Sequence, residues 1–348
     1  MARFQWKTAT VLAFAAVWSL GLSSGARGAT PQNETGDMPV RTARSLAKTL
    51  LAHVEAQALA PRSQDEYREA KRRLLERVEG RDPVNRAALY RAARDVLNTI
   101  DADGHSMLWS RHEATQFAAV TSPDDASRGE VVRIVELDAH RVLVVTPPAA
   151  TYINAEQEAA YTRRLVDGIE AAGHTSDVCA LVVDLTAQTG GNAYPPLHAL
   201  ASALSVDNTA VWVDRNDRRE PVLGRELQRA LRDGRIGAPA LAAFRGRPIA
   251  VVTGPKTASA GEMLTMLFKG EANATTFGWP TYGMTTANIT LELPDEATLV
   301  LSVSRYAFGH AAPIHGRIAP DVPANTAATH DAVVMQAAQW AASKNCAP

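Results

Sequence analysis

The chemistry of this chain can be sought first at one hydroxyl. Ser259 stands between a short apolar run, Ile249 to Val252, and a helical pattern carrying Met263, Leu264, Met266, Leu267 and Phe268, with Gly270 just past its end. The run has the length of a buried strand, and Thr253, Gly254 and Pro255 break it. A serine in the first turn of a helix lies beside backbone N–H groups that lack intrahelical acceptors, at the positive end of the helix dipole. Such donors are what an oxyanion needs when a serine attacks a carbonyl. Ala258, Ala260 and Gly261 would let a substrate come close to the backbone. An ordinary N-cap serine carries the same signature, so Ser259 alone reads as nucleophile or as cap.

Two other stretches could complete such a site. In Ile100-Asp101-Ala102-Asp103-Gly104-His105-Ser106, one of nine histidines sits at a Gly-containing turn between a helical region and a β-rich one. His105 there is a base or simply the end of a helix. Thr186-Ala187-Gln188-Thr189-Gly190-Gly191-Asn192 follows a continuous apolar run, Cys179 to Leu185, of the kind that forms a central strand. Paired glycines in that position permit backbone conformations that turn N–H groups toward a ligand. No ligand-spaced group of histidines and cysteines is present, so neither a metal nor an organic cofactor is expected.

The elements that must position these residues follow from periodicity. Val40 to Ile100 reads as three helices, with Leu46, Leu50 and Val54, then Tyr67, Leu74, Leu75 and Val78, then Leu89, Ala93, Val96, Leu97 and Ile100 as their apolar faces. Val131–Val135 and Arg141–Val145 read as a hairpin, and Glu156–Ala172 as an amphipathic helix. A helix through Leu197, Leu200 and Leu204 and a strand at Ala210–Val213 follow the Gly-rich turn. The order strand, Gly-rich turn, helix, strand predicts a layered α/β arrangement, and the unit recurs at Ile249–Gly270. The polar, Arg-rich Asp214–Gly246 predicts a surface helix and loops. Asn288–Leu293 and Thr298–Val303 alternate as a second hairpin around Pro294-Asp295; a loop over Pro313–Pro323 and a final helix over Asp331–Ala342 close the chain.

Composition narrows the partners. Lys plus Arg number 36 against 37 Asp plus Glu, a net charge of -1, which provides no field for nucleic acid. At 348 residues and 46% hydrophobic, the chain can bury one large core or two moderate ones. Arg3 and Lys7, an apolar run from Ala9 to Leu22, and small residues through Ala29 form the three-part pattern of a secretory signal peptide, with Ala26-Arg27-Gly28 as a cleavage box. The run is short for a bilayer span, so the mature protein is expected to be exported, periplasmic or extracellular, without a membrane span. Cys179 and Cys346 fit one disulfide in that setting, or two free thiols.

In order along the chain, these residues resemble the C-terminal processing protease and tricorn-core serine peptidase family. DGHS is similar to its Asp-x-His-Ser/Thr segment, VVDLTAQTGGN to its strand ending in Asp-Leu-Arg-x-Asn-x-Gly-Gly, and TASAGEML to its nucleophile segment. FGWPTYGMTT, LPDEATLVLSVSRY and IHGRIAPDVP match its C-terminal half. The resemblance implies a crotonase-like α/β core of layered sheets and helices with an N-terminal helical cap. Its divisions fall at a signal peptide 1–29, a cap 40–110, a peptidase core 111–325, and a C-terminal helix and tail 326–348. It implies an exported peptidase acting on peptides or polypeptides, of endopeptidase or carboxyl-terminal processing type. Ser259 would be the nucleophile, His105 the base, and Ala260 N–H with one N–H of Gly190-Gly191 the oxyanion hole; Glu262 and His315 would be supporting residues.

The Ser/Lys branch of that family carries a lysine where this chain has Met284, which cannot take a proton, and Lys256 and Lys269 do not fit the motif. Thr186 and Gln188 replace the usual Arg and Asn, and His315 stands about where the tricorn-like branch places a Glu. These departures keep a second reading open, a catalytically inactive relative that binds peptides or lipids. A lipase-like hydrolase fits less well, because Thr257 stands where a nucleophile elbow wants glycine.

Overall fold

An unbroken apolar strand has to be covered on both faces, and that requirement organises the largest of the three sheets among the described residues. A computed structural model of the chain describes residues 36–80, 82–101, 104–120, 131–137, 140–150, 155–173 and 178–346. The signal-like segment expected at 1–29 lies outside the described residues. The first elements are β1 (Asp37–Met38), α1 (Val40–Gln57), α2 (Gln64–Glu76), β2 (Val84–Asn85), α3 (Arg86–Asn98), β3 (Met107–Trp109) and α4 (Arg111–Val120). Then come β4 (Val132–Leu137), β5 (His140–Val145), α5 (Ala155–Gly173), β6 (Val178–Asp184), α6 (Tyr194–Leu200), β7 (Ala210–Asp214), β8 (Arg219–Pro221) and α7 (Arg225–Arg232). The chain continues through β9 (Ile249–Thr253), α8 (Ala260–Lys269), β10 (Ala274–Gly278), β11 (Thr286–Glu292), β12 (Thr298–Phe308), β13 (Val322–Pro323) and α9 (His330–Asn345).

The largest sheet runs β13-β10-β9-β6-β5-β4, parallel throughout except for the antiparallel β4–β5 hairpin. Alternation sorts its side chains. Leu181, Val183, Ile249 and Val251 pack with Leu165 and Ile169 of α5, Leu197 and Leu200 of α6, and Met263 to Phe268 of α8. Ala180, Val182, Ala250 and Val252 face the opposite way, onto Val333, Val334, Ala337, Ala338 and Ala341 of α9. At roughly 1.5–3 kcal/mol for each fully buried large aliphatic side chain, these two layers hold the strand order firmly. Of the two states open to the cysteines, the fold takes the disulfide. Cys179 in β6 bonds Cys346 at the end of α9, with Cα atoms 5.2 Å apart across a separation of 167 residues.

The second sheet, β11-β12-β7-β8 with β3 paired to β12, is antiparallel. Ile289, Leu299 and Leu301 on one of its faces pack beneath Leu46, Leu50, Leu74, Leu89, Val96 and Leu97 of α1, α2 and α3. The three expected helices thus form a cap on this sheet, and Ser63 and Asn85 start α2 and α3 by accepting from the N–H of Glu66 and Ala88. Both expected hairpins form, as β4–β5 and β11–β12. Asp214–Gly246 contains β8, α7 and a 3-10 turn at Pro239–Phe244. The strand β10 is an element the periodicity does not announce. Its residues Thr275, Thr276 and Gly278 look like a connection, and only pairing with β9 and β13 extends them.

This topology decides where the chain's polar residues meet. β6 and β9 are parallel neighbours, with Asp184 opposite Val252, so the turns that follow them emerge side by side. The β3–β12–β11 ladder carries the turn after α3 to the same place.

Candidate active site

Ser259 sits at the junction of the β9 turn and α8. Its backbone, φ 50° and ψ −105°, lies outside every basin an L-residue occupies freely. The surrounding loop is tied down from both sides. Thr257 Oγ1 donates to Leu185 O at 2.9 Å and accepts from Gly254 N–H at 2.9 Å, and Ala258 N–H donates to Gln188 O at 3.1 Å. Gly261 is required by packing, since a Cβ there would stand 2.4 Å from Gln188 O. Thr257 therefore has a structural task at the position where an elbow would want glycine. Ala260 is the first residue of α8, so its N–H has no intrahelical acceptor.

His105 reaches this point from the turn after α3. Asp101 shapes that turn, its carboxylate accepting from His105 N–H at 2.7 Å and from Ser106 Oγ at 2.6 Å. The imidazole then spans two partners. Nε2 is 3.1 Å from Ser259 Oγ, and Nδ1 is 2.6 Å from Thr286 Oγ1 on β11. Both Ser259 and His105 are fully buried. A hydroxyl and an imidazole at this separation can exchange a proton directly.

Glu262 lies in the first turn of α8, and each of its oxygens is used. Oε2 accepts from Ser259 N–H at 2.9 Å; Oε1 accepts from Thr281 Oγ1 at 2.5 Å and Gly283 N–H at 2.8 Å. Burial pushes its pKa up to about 7 against these donors. It fixes the serine backbone and the 281–283 segment together. Met284 is buried beside that segment, and His315 is exposed on the loop that precedes β13.

Gly190 and Gly191 have φ of 125° and 93°, conformations that favour glycine. Gly190 N–H donates to Gln188 Oε1 at 3.3 Å, while Gln188 Nε2 donates to Pro148 O at 2.9 Å. Thr186, in place of an arginine, caps the strand end. Its hydroxyl and N–H donate to Asp184 Oδ1 at 2.6 and 3.0 Å, and His330 Nε2 lies 2.8 Å from Asp184 Oδ2. Burial alone would raise Asp184, but His330 and Thr186 hold it below the usual carboxylate range. Among the described residues, one set of possible metal donors converges, His140 with Cys179 and Cys346. Its sulfurs are bonded to each other and offer no thiolate.

Sequence reasoning identified Ser259, His105, Glu262 and the glycines, and the fold brings Ser259, His105 and Glu262 together. It missed Thr286, Asn288, Ser302 and Asp101. The available signal was polarity inside strands: Thr286 and Asn288 interrupt an otherwise half-apolar β11, and Ser302 an apolar β12.

A sequence profile of peptidase family S41 matches residues 149–324, which include Ser259, Gly190 and Gly191 but not His105. The nisin-resistance protein of Lactococcus lactis subsp. lactis is 27% identical over 216 residues, covering 59% of this chain and 64% of that protein. The chain thus spans a little under two thirds of that relative's length. A lipoprotein from Streptococcus agalactiae superposes with a TM-score of 0.67 at 20% identity, over 87% of this chain and 96% of the other. A photosystem II D1 C-terminal processing protease does so at 0.56 and 13%, over 82% and 93%. At such identities these structures show a shared mixed α/β fold.

Proposed function

This chain belongs to peptidase family S41, and from that premise we propose that it hydrolyses peptide bonds with Ser259 as nucleophile and His105 as general base. The observation that carries this reading is the 3.1 Å approach of His105 Nε2 to Ser259 Oγ, across 154 residues of sequence. Local capping does not produce such a contact. Met284 leaves no amine at the lysine position, so the imidazole is the group placed to take the proton.

The steps follow from the groups present. His105 Nε2 accepts the Ser259 hydroxyl proton as Oγ bonds to the substrate carbonyl carbon. Ala260 N–H, at the positive end of α8, and one N–H of Gly190-Gly191 hold the resulting oxyanion. The imidazolium returns its proton to the leaving amine, which departs and leaves an ester on Ser259. Water, deprotonated by His105, attacks the ester; the acyl–Oγ bond breaks, the imidazolium returns the proton to Ser259 Oγ, and the acid leaves. Gly190 N–H is engaged by Gln188 Oε1 at the long distance of 3.3 Å, a bond an oxyanion would replace readily. Because both side chains are closed to solvent, substrate entry requires the segments packed over them to move.

The protein acts on an exported pool of peptides. Supporting this are the signal-like N-terminus and the Cys179–Cys346 disulfide, a bond of oxidising compartments. N-terminal sequencing of protein from an exporting host should begin near Ala29; an intact Met1 on soluble protein would refute export. The lactococcal relative's name makes nisin the first peptide to test.

The decisive experiment is labelling with a fluorophosphonate and mapping of the modified peptide. Ser259 should carry the label, and His105→Ala and Ser259→Ala should each abolish labelling and hydrolysis. The double variant should be no worse than either single one, since the pair acts as a unit. An unlabelled Ser259 in a protein that still binds peptides would return the chain to the inactive, binding-protein reading. Turnover in His105→Ala would move the base elsewhere.

A further inference from the structure

A neutral imidazole has one N–H and one bare nitrogen, and the serine reaction needs the bare one at Nε2. His105 Nδ1 must then carry the proton and donate it. Its partner there is Thr286 Oγ1 at 2.6 Å. A hydroxyl can donate or accept, so this contact by itself leaves the tautomer undecided. The decision lies one shell further out.

Asn288 Nδ2 donates to the backbone oxygen of His105 at 3.0 Å. That oxygen only accepts, so the amide is held with its nitrogen there and its Oδ1 on the other side. The reverse orientation would set two acceptor oxygens against each other. Oδ1 faces Ser302 Oγ at 2.9 Å and Thr286 Oγ1 at 3.5 Å. An amide oxygen cannot donate, so the Ser302 hydroxyl gives its hydrogen to Oδ1. The Ser302 oxygen then accepts from Thr286 Oγ1, 3.2 Å away. With its only hydrogen used, Thr286 presents a lone pair to Nδ1. All five side chains are shielded from solvent, so bulk water does not offer an alternative route.

From this geometry we infer that Asn288 is a positioning residue that fixes the Nδ1–H tautomer of His105 through Ser302 and Thr286. The inference rests on the Ser259–His105 reading. The hydrogens run in one direction, from Ser259 through His105, Thr286 and Ser302 to Asn288. Asn288 closes the circuit by bonding the backbone of the same histidine. The opposite tautomer would require Thr286 to donate to Nδ1, and Ser302 could then give its one hydrogen to Thr286 or to Asn288 but not to both, leaving one of these buried contacts without a hydrogen. Strand pairing builds the arrangement, because Asn288 and Ser302 are direct cross-strand partners in β11 and β12.

The test is the protonation pattern of His105 in the intact oxidised protein. Uniform 15N-histidine labelling and long-range 1H–15N correlation spectra distinguish pyrrole-type from pyridine-type ring nitrogens. The resonance lost in His105→Gln identifies the residue. In the unmodified protein Nδ1 should be pyrrole-type and Nε2 pyridine-type; the reverse pattern overturns the inference without any substitution. Asn288→Ala should mix or reverse the pattern and lower kcat at least ~10-fold with KM unchanged, less than the ~10⁴-fold loss when an orienting group imposes the wrong tautomer. Asn288→Asp keeps an acceptor for the Ser302 hydroxyl and should keep the parent pattern, at a cost in stability from the second oxygen it sets against His105 O. A folded Asn288→Ala protein with the parent pattern also overturns the inference. The fluorophosphonate result separates the two readings. A labelled Ser259 with the wrong tautomer fails the relay alone, and an unlabelled Ser259 with the Nδ1–H tautomer fails the peptidase reading alone.

Discussion

Replacing Ser259 by glycine should leave the protein more stable than replacing it by alanine. Both changes remove the hydroxyl and its contact with His105, so that loss cancels in the comparison. They differ at Cβ, which alanine must carry at φ 50° and ψ −105°. Such a conformation costs an L-residue about 1–3 kcal/mol, and a ψ this far from the left-handed basin belongs near the upper end. Glycine gives back ~0.4–1 kcal/mol through its freer unfolded chain, and ~0.8 kcal/mol for the buried carbon it lacks. The balance favours glycine by roughly 1 kcal/mol, or about 2–4 °C in Tm for a chain of this size class. In a helix interior the order would be reversed. Urea unfolding of the two variants, with equal slopes required, reads the difference. An alanine variant as stable as the glycine one would mean that the Ser259 turn stores no strain and that the rigidity of Ser259 comes from Glu262 and the Thr257 contacts alone.

If Gly190-Gly191 supplies an oxyanion donor, Gly190→Ala or Gly191→Ala should lower kcat about a hundredfold, roughly 3 kcal/mol of transition-state stabilisation. Unchanged turnover in both variants would place the oxyanion elsewhere. Stability should also fall with rising pH on account of Glu262, whose folded pKa of about 7 lies above the ordinary carboxylate range. A raised folded pKa stabilises fully below the unfolded value and loses that contribution as pH climbs through about 7, here on the order of 3 kcal/mol. Glu262→Gln should flatten that slope in denaturant titrations from pH 4 to 8, at a constant cost from setting an amide N–H₂ among donors. An unchanged slope would assign the pH dependence to another group.

The fold's layers follow from local pattern. Cys179–Val183 and Ile249–Val252 are apolar at every position, so they had to lie in a sheet covered twice, and α8 had to begin where Ser259 stands. The heptad-like faces of α1 to α3 similarly required a partner, although their sequence does not say that the partner is the β11–β12 face. For the cysteines, composition left both states open; β6 and α9 meet only because each buries an apolar face against the other.

What the sequence by itself determined is therefore a set of short-range facts: element types, the serine at a helix N-terminus, the glycines after a strand, and the motifs that mark the family. The tertiary structure decided which of these meet. His105 lies 154 residues from Ser259 and 181 from Thr286, and their contacts depend on the register of β11 with β12, of β12 with β3, and on the turn that Asp101 holds. A one-residue slip in any of those ladders would turn the side chains to the opposite face. Periodicity reports which face of an element is buried, because burial is a property of one residue and its neighbours in the chain. A chain of buried hydrogen bonds is a property of pairs brought together by packing, and its members Asn288 and Ser302 resemble any other polar residues until the strands are aligned.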